Sequence, residues 1–119
     1  MKEFTRVMKA LSDPNRVKIL KLLENGPLCV CQVHGALGLA QPTVSRHLRI
    51  LEDAGLITGR KDRMWVHYGL SPERASSYAR LLLEYMPDWL NEDPEVAGAR
   101  ALVAAGCKTL EIQPATADA

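Results

Sequence analysis

Apolar residues recur along this chain at two periods, and the places where the period changes mark its elements. Phe4, Val7, Met8 and Leu11 follow the i, i+3, i+4, i+7 rule of an amphipathic helix too short to stand without a partner surface. Ser12-Asp13-Pro14 supplies a cap with proline at the first helical position. Val17, Leu20 and Leu23 carry the helical spacing up to Asn25-Gly26-Pro27, which ends it. Val30, Val33 and Leu37 predict a short third helix closing near Gly38, and Gly38-Leu39-Ala40 is a tight connection. Pro42 sits in the first turn of a fourth, in which Val44, Leu48 and Leu51 line one side while Gln41, Thr43, Arg46 and Arg49 point elsewhere; Gly55 stops it.

Beyond Gly55 the period shortens to two. Leu56 to Arg60 and Trp65 to Leu70, joined by Lys61-Asp62-Arg63-Met64, predict a β-hairpin. Ser71-Pro72-Glu73 opens another helix with Ala75, Tyr78, Leu82, Tyr85 and Trp89 at spacings of 3 and 4, which Pro87 ends or kinks before Trp89. A last helix starts at Asp93-Pro94 and runs to about Cys107. Helix, helix, short helix, tight turn, helix, hairpin, helix, helix is the order of a winged helix-turn-helix, a mainly α fold with a β-hairpin wing. Residues 1–108 read as one DNA-binding and dimerisation domain, and the small polar tail 109–119 as disordered. The stripe from Ala75 to Trp89 and the detached first helix offer more apolar surface than one small domain needs, which predicts a homodimer.

Composition narrows the function. A chain of 119 residues holds a modest core without staples, burying about two-thirds of its unfolded surface. No run approaches the roughly 20 apolar residues that span a bilayer, so no membrane partner is expected. Met1 to Arg6 lacks the apolar segment of a secretory signal, and the reading is cytoplasmic. The net charge of +1 conceals an asymmetry: residues 1–70 carry 11 Lys+Arg against 6 Asp+Glu, and residues 71–119 carry 4 against 8. The basic half suits a polyanion. With no nucleophile and base set, no glycine-rich phosphate loop and no paired carboxylates in a motif, nothing points to an enzyme or to an organic cofactor.

Only the first turns of a recognition helix reach base edges, so that end must offer short polar side chains and arginine. Gln41, Thr43, Ser45, Arg46, His47 and Arg49 do so, although His47 has the alternative of a partly buried, hydrogen-bonded place beside Leu48. At the hairpin tip Arg60, Lys61 and Arg63 place cations where a wing meets phosphates or a minor groove. The expected partner is double-stranded operator DNA, an imperfect palindrome if two copies bind.

Leu28-Cys29-Val30-Cys31-Gln32-Val33, Ala40 to Leu48, Leu51 to Leu56 and Trp65 to Ser71 together resemble the ArsR/SmtB family of metal-sensing repressors over about residues 4 to 90. The Cys-Val-Cys element is similar to that of the arsenic-responsive branch. This resemblance implies a homodimeric repressor that leaves its operator when As(III) or Sb(III), acting as inducer, binds cysteine thiolates. Cys29 and Cys31 fall at the start of the third helix, whose positive dipole end favours thiolate. Residues i and i+2 lie about 200° apart on a helix, so both sulfurs reach one ion only if the first turn distorts. In the arsenic branch a third cysteine often follows three residues later; here it is His34. The third ligand is then Cys107, from the same or the partner subunit, or solvent or a small thiol. The alternatives are a sensor of soft divalent metals such as cadmium, zinc or lead, using Cys29, Cys31, His34 and Cys107, and a thiol-redox switch.

Overall fold

The computed structural model describes residues 1–110, with side chains through Gly106. Six helices and three strands follow one another: α1 (Lys2–Ala10), α2 (Pro14–Leu23), β1 (Leu28–Cys29), α3 (Val30–Leu37), α4 (Gln41–Asp53), β2 (Ile57–Asp62), β3 (Trp65–Leu70), α5 (Ser77–Tyr85) and α6 (Pro94–Leu110). Short 3₁₀ turns at Pro72–Arg74 and Met86–Asp88 flank α5.

Local chemistry sets the boundaries. Asp13 caps α2, its carboxylate accepting the amides of Asn15 at 2.7 Å and Arg16 at 3.4 Å, with Pro14 as first helical residue. Burial pushes the Asp13 carboxyl up, but the two amides and the neighbouring Arg16 charge outweigh it and hold the carboxyl below its ordinary range. Gly55, at φ +79, lets α4 end with crossed bonds from Leu56 N–H to the Leu51 carbonyl and from Gly55 N–H to that of Glu52.

The core is filled by Val7 of α1, Ile19, Leu20, Leu22 and Leu23 of α2, Val33 of α3, and Val44, Leu48 and Leu51 of α4. The strands form one antiparallel sheet ordered β1-β3-β2. The hairpin is longer than its sequence pattern predicts: β2 reaches Asp62, leaving only Arg63 and Met64 as the loop, and Arg63 adopts φ +60. β1 was not predicted; two residues are too few for an alternation to register. Pro87 ends α5 as expected, so Trp89 lies beyond the helix and stacks on Tyr85 at a centroid separation of 6.4 Å.

α6 packs along α3 and α2. A buried charge cluster fastens it. Lys21, wholly inaccessible, donates to the Met86 carbonyl at 2.6 Å and pairs with Glu24 at 2.9 Å. Arg100 of α6 reaches the same Glu24 oxygen at 3.0 Å and donates to the Lys21 carbonyl at 3.3 Å. α6 continues through Leu110, so Thr109 and Leu110, expected in the tail, are helical. The disorder expected of residues 111–119, and the Cys107 side chain, lie outside the described residues. No helix among the described residues is long and apolar enough to cross a membrane.

Candidate nucleic-acid interface and thiol site

A left-handed Gly38, at φ +69, closes α3 and turns the chain into α4. His34 Nδ1 is bonded to the Leu39 carbonyl and fixes the turn from inside. α4 then presents Gln41, Ser45, Arg46 and Arg49 to solvent, with Thr43 half-buried, while Val44, Leu48 and Leu51 enter the core. Gln41, Ser45, Arg46 and Arg49 thus form one polar face of α4.

His47 does not belong to that face. It is only 7% exposed, and its Nδ1 meets Arg16 Nη1 at 3.1 Å. Arg16 donates in addition to the carbonyls of Ala10 at 2.8 Å and Lys9 at 3.0 Å, so one guanidinium joins α1, α2 and α4. Burial, reinforced by the charges of Arg16 and Arg46 and opposed by Asp13, lowers the His47 pKa from its ordinary 6.5. The sequence expectation that His47 contacts DNA is therefore corrected. Three and four residues before it, Val44 and Thr43 straddle the core boundary, and helical geometry carries position 47 inward with Val44.

Arg60, Lys61 and Arg63 are all exposed on the wing. Lys61 and Arg63 flank its tip. Arg60 lies further back, opposite His67, beside a hollow of about 290 Å³ whose lining includes Pro27, Thr58, His67 and Glu73.

Cys29 differs from its predicted setting. It is the last residue of β1 and the N-cap of α3, extended at φ −85, ψ 165, rather than a helical residue. Its N–H donates to Gln32 Oε1 at 3.0 Å, and the Gln32 amide faces the Cys29 sulfur in return, a capping box with sulfur in the role of the usual hydroxyl. A Cys-x-x-Gln spacing ahead of an apolar run was the available signal. Because Cys29 stands outside the helix, the angular separation argued from helical spacing does not describe this pair. Cys31, half-buried, follows in the first turn of α3, and Gln41 Nε2, on the first residue of α4, donates to its sulfur at 3.9 Å. Both sulfurs therefore stand where α3 meets the elements that carry the polar face. Among the described residues no three of His, Cys, Asp and Glu come together as a preformed metal cage. His34 in particular is held by the turn.

A profile described as "Bacterial regulatory protein, arsR family" matches residues 13–58, which span α2 to the start of β2. An arsenical resistance operon repressor of Escherichia coli is 44% identical over 80 residues, covering 66% of this chain and 68% of that protein. This chain belongs to the arsR family. An uncharacterized helix-turn-helix regulator of Methanocaldococcus jannaschii is 43% identical over 79 residues, 66% of this chain and 89% of its own. Among solved structures, the homodimeric winged helix-turn-helix DNA-binding domain from Mycobacterium bovis superposes with a TM-score of 0.61 at 31% identity, covering 73% of this chain and 80% of that one. As an arsR-family member the protein is a winged-helix transcriptional repressor and not an enzyme.

Proposed function

We propose that this arsR-family protein is a cytoplasmic repressor that binds palindromic operator DNA as a homodimer and lets go when As(III) or Sb(III) is captured by Cys29 and Cys31. The observation that carries the reading is the contact between Cys31 and Gln41: the inducer thiol touches the first residue of the recognition helix. Each sulfur–arsenic bond forms as a hydroxide of arsenous acid leaves as water with the thiol proton. Joining the two sulfurs draws Cys31 from Gln41 and opposes the placement of α4 that DNA needs. Linkage then requires bound operator to weaken arsenite binding by the same factor. Cys107, within α6, supplies the third thiolate in this proposal, and the name borne by the Escherichia coli relative supports arsenic as the inducer.

Gln41, Thr43, Ser45, Arg46 and Arg49 are proposed to read the major groove, with Arg60, Lys61 and Arg63 on the flanking backbone. Exposed Phe4, Met8, Tyr78, Leu81 and Tyr85 on α1 and α5, with Phe4 edge-on to Tyr78 at 5.3 Å, provide the apolar surface for a second copy. The test is fluorescence anisotropy of labelled upstream DNA with reduced protein, titrated with arsenite, antimonite, cadmium, zinc and an oxidant. Release by arsenite and antimonite, lost in Cys29→Ser and Cys31→Ser variants that still bind DNA, is the expected result. Release by zinc or cadmium alone, or by oxidant alone, overturns the arsenic reading.

A further inference from the structure

Cys29 is tied to more than its helix. Its partner across the sheet is His67 of β3, and His67 is in turn opposite Arg60 of β2. Directly opposed residues of antiparallel strands share a face, with Cβ atoms about 5 Å apart. Cys29, His67 and Arg60 thus form a single row across all three strands, from a proposed inducer thiol to a proposed DNA contact. The hollow lined jointly by His67 and Arg60 lies on that face.

The row also marks where the wing is anchored. β1 offers only two residue pairs, Leu28 with Tyr68 and Cys29 with His67. Without them β2 and β3 are a two-stranded ribbon held at its base, where Ile57, Tyr68 and Leu70 pack on the helical core, and its outer half, which carries Arg60, is marginal in water. A ligand that joins Cys29 to Cys31 takes the Cys29 sulfur from the Gln32 amide and changes the torsions at Cys29. Those torsions orient the peptide units on either side, and one side is the β1 ladder.

We infer that the wing is a second inducer-responsive element: capture of the ligand at Cys29 loosens the β1–β3 pairing and frees the strand pair that carries Arg60. This rests on Cys29 being an inducer thiol, as proposed above, and adds to it a route that does not pass through Gln41 and α4.

Hydrogen exchange of the reduced, full-length protein with and without arsenite tests the idea, with sulfur–arsenic ultraviolet absorbance recorded on the same samples. The expected result is that amides of residues 57–70 exchange about fivefold faster or more when arsenite is bound, the low end of ordinary coupling between sites. Cys29→Ser, which keeps a capping acceptor, should abolish that change. Absorbance showing bound arsenite, with faster exchange confined to residues 30–53, overturns the wing inference and leaves the proposed function standing. Faster wing exchange that persists in Cys29→Ser also overturns it. Absence of the absorbance overturns both.

Discussion

Arg16 of α2 and His47 of α4 are joined side chain to side chain at 3.1 Å, on the inner surface of the helix whose outer surface carries Gln41, Ser45, Arg46 and Arg49. The bond requires Nδ1 of His47 to be the unprotonated acceptor, because a guanidinium only donates. The same Arg16 holds the end of α1 through two carbonyls. Arg16→Ala removes all three bonds; the Lys9 carbonyl keeps its bonds from Ser12, but the part-buried Ala10 carbonyl and His47 Nδ1 lose this donor. A loss of about 2–4 kcal/mol is expected in urea denaturation, with operator affinity falling alongside it.

The neutral His47 has a consequence for acid. Burial lowers its folded-state pKa, so as pH falls the unfolded chain takes up this proton first. Stability is full above the ordinary value of 6.5 and declines as pH drops from there through the folded-state pKa. A His47→Gln variant lacks this decline. Denaturation midpoints at pH 8 and pH 5 should therefore move further apart in the natural protein than in the variant; equal separations would contradict the assignment. Asp13 does not confuse the comparison, since its own loss belongs below its ordinary 3.8.

Cys29 caps α3 and is the proposed inducer ligand, and substitution separates the two. Serine keeps an N-cap acceptor and alanine does not, so Cys29→Ala should cost about 1 kcal/mol relative to Cys29→Ser, read by urea denaturation. Both should fail to respond to arsenite. A serine variant as unstable as the alanine variant would show that the sulfur does not cap α3.

The Lys21, Glu24 and Arg100 cluster predicts an asymmetry. Glu24→Ala strands two cations, one of them wholly buried, and should cost about 3–5 kcal/mol. Lys21→Met removes the buried charge together with the need to pair it, and leaves Glu24 with Arg100. It should cost clearly less. Thermal denaturation of the two variants checks the order.

On the wing, Lys61→Ala and Arg63→Ala should each weaken operator binding at every sequence and reduce the magnitude of the log affinity against log salt slope by about one. Anisotropy at several salt concentrations measures both. An unchanged slope would take that residue off the DNA.

The helices were legible in the sequence because caps, prolines and apolar spacing all agree there: Asp13-Pro14, Gly38 and Gly55 mark ends that the structure keeps. The polar face of α4 was legible for the same reason. His47 was legible only as an alternative between groove and interior, because a histidine within a polar run gives no sign of a guanidinium arriving from another helix 31 residues earlier. β1 was hidden by its length, and with it the fact that Cys29 ends a strand. The contact of Cys31 with Gln41 depends on the tight turn bringing two helix starts together, a long-range consequence that residue spacing alone does not encode.

His34 occupies the position where the arsenic-responsive pattern would place a third sulfur, and its ring is spent on the Leu39 carbonyl. The chain therefore stands at a fork between ligand number and rigidity. His34→Cys would bring a third thiol one turn beyond Cys31 on the same helix, and would unpin the corner on which α4 is set. A third sulfur at position 34 would thus come only with the loss of the bond that sets the entry of α4.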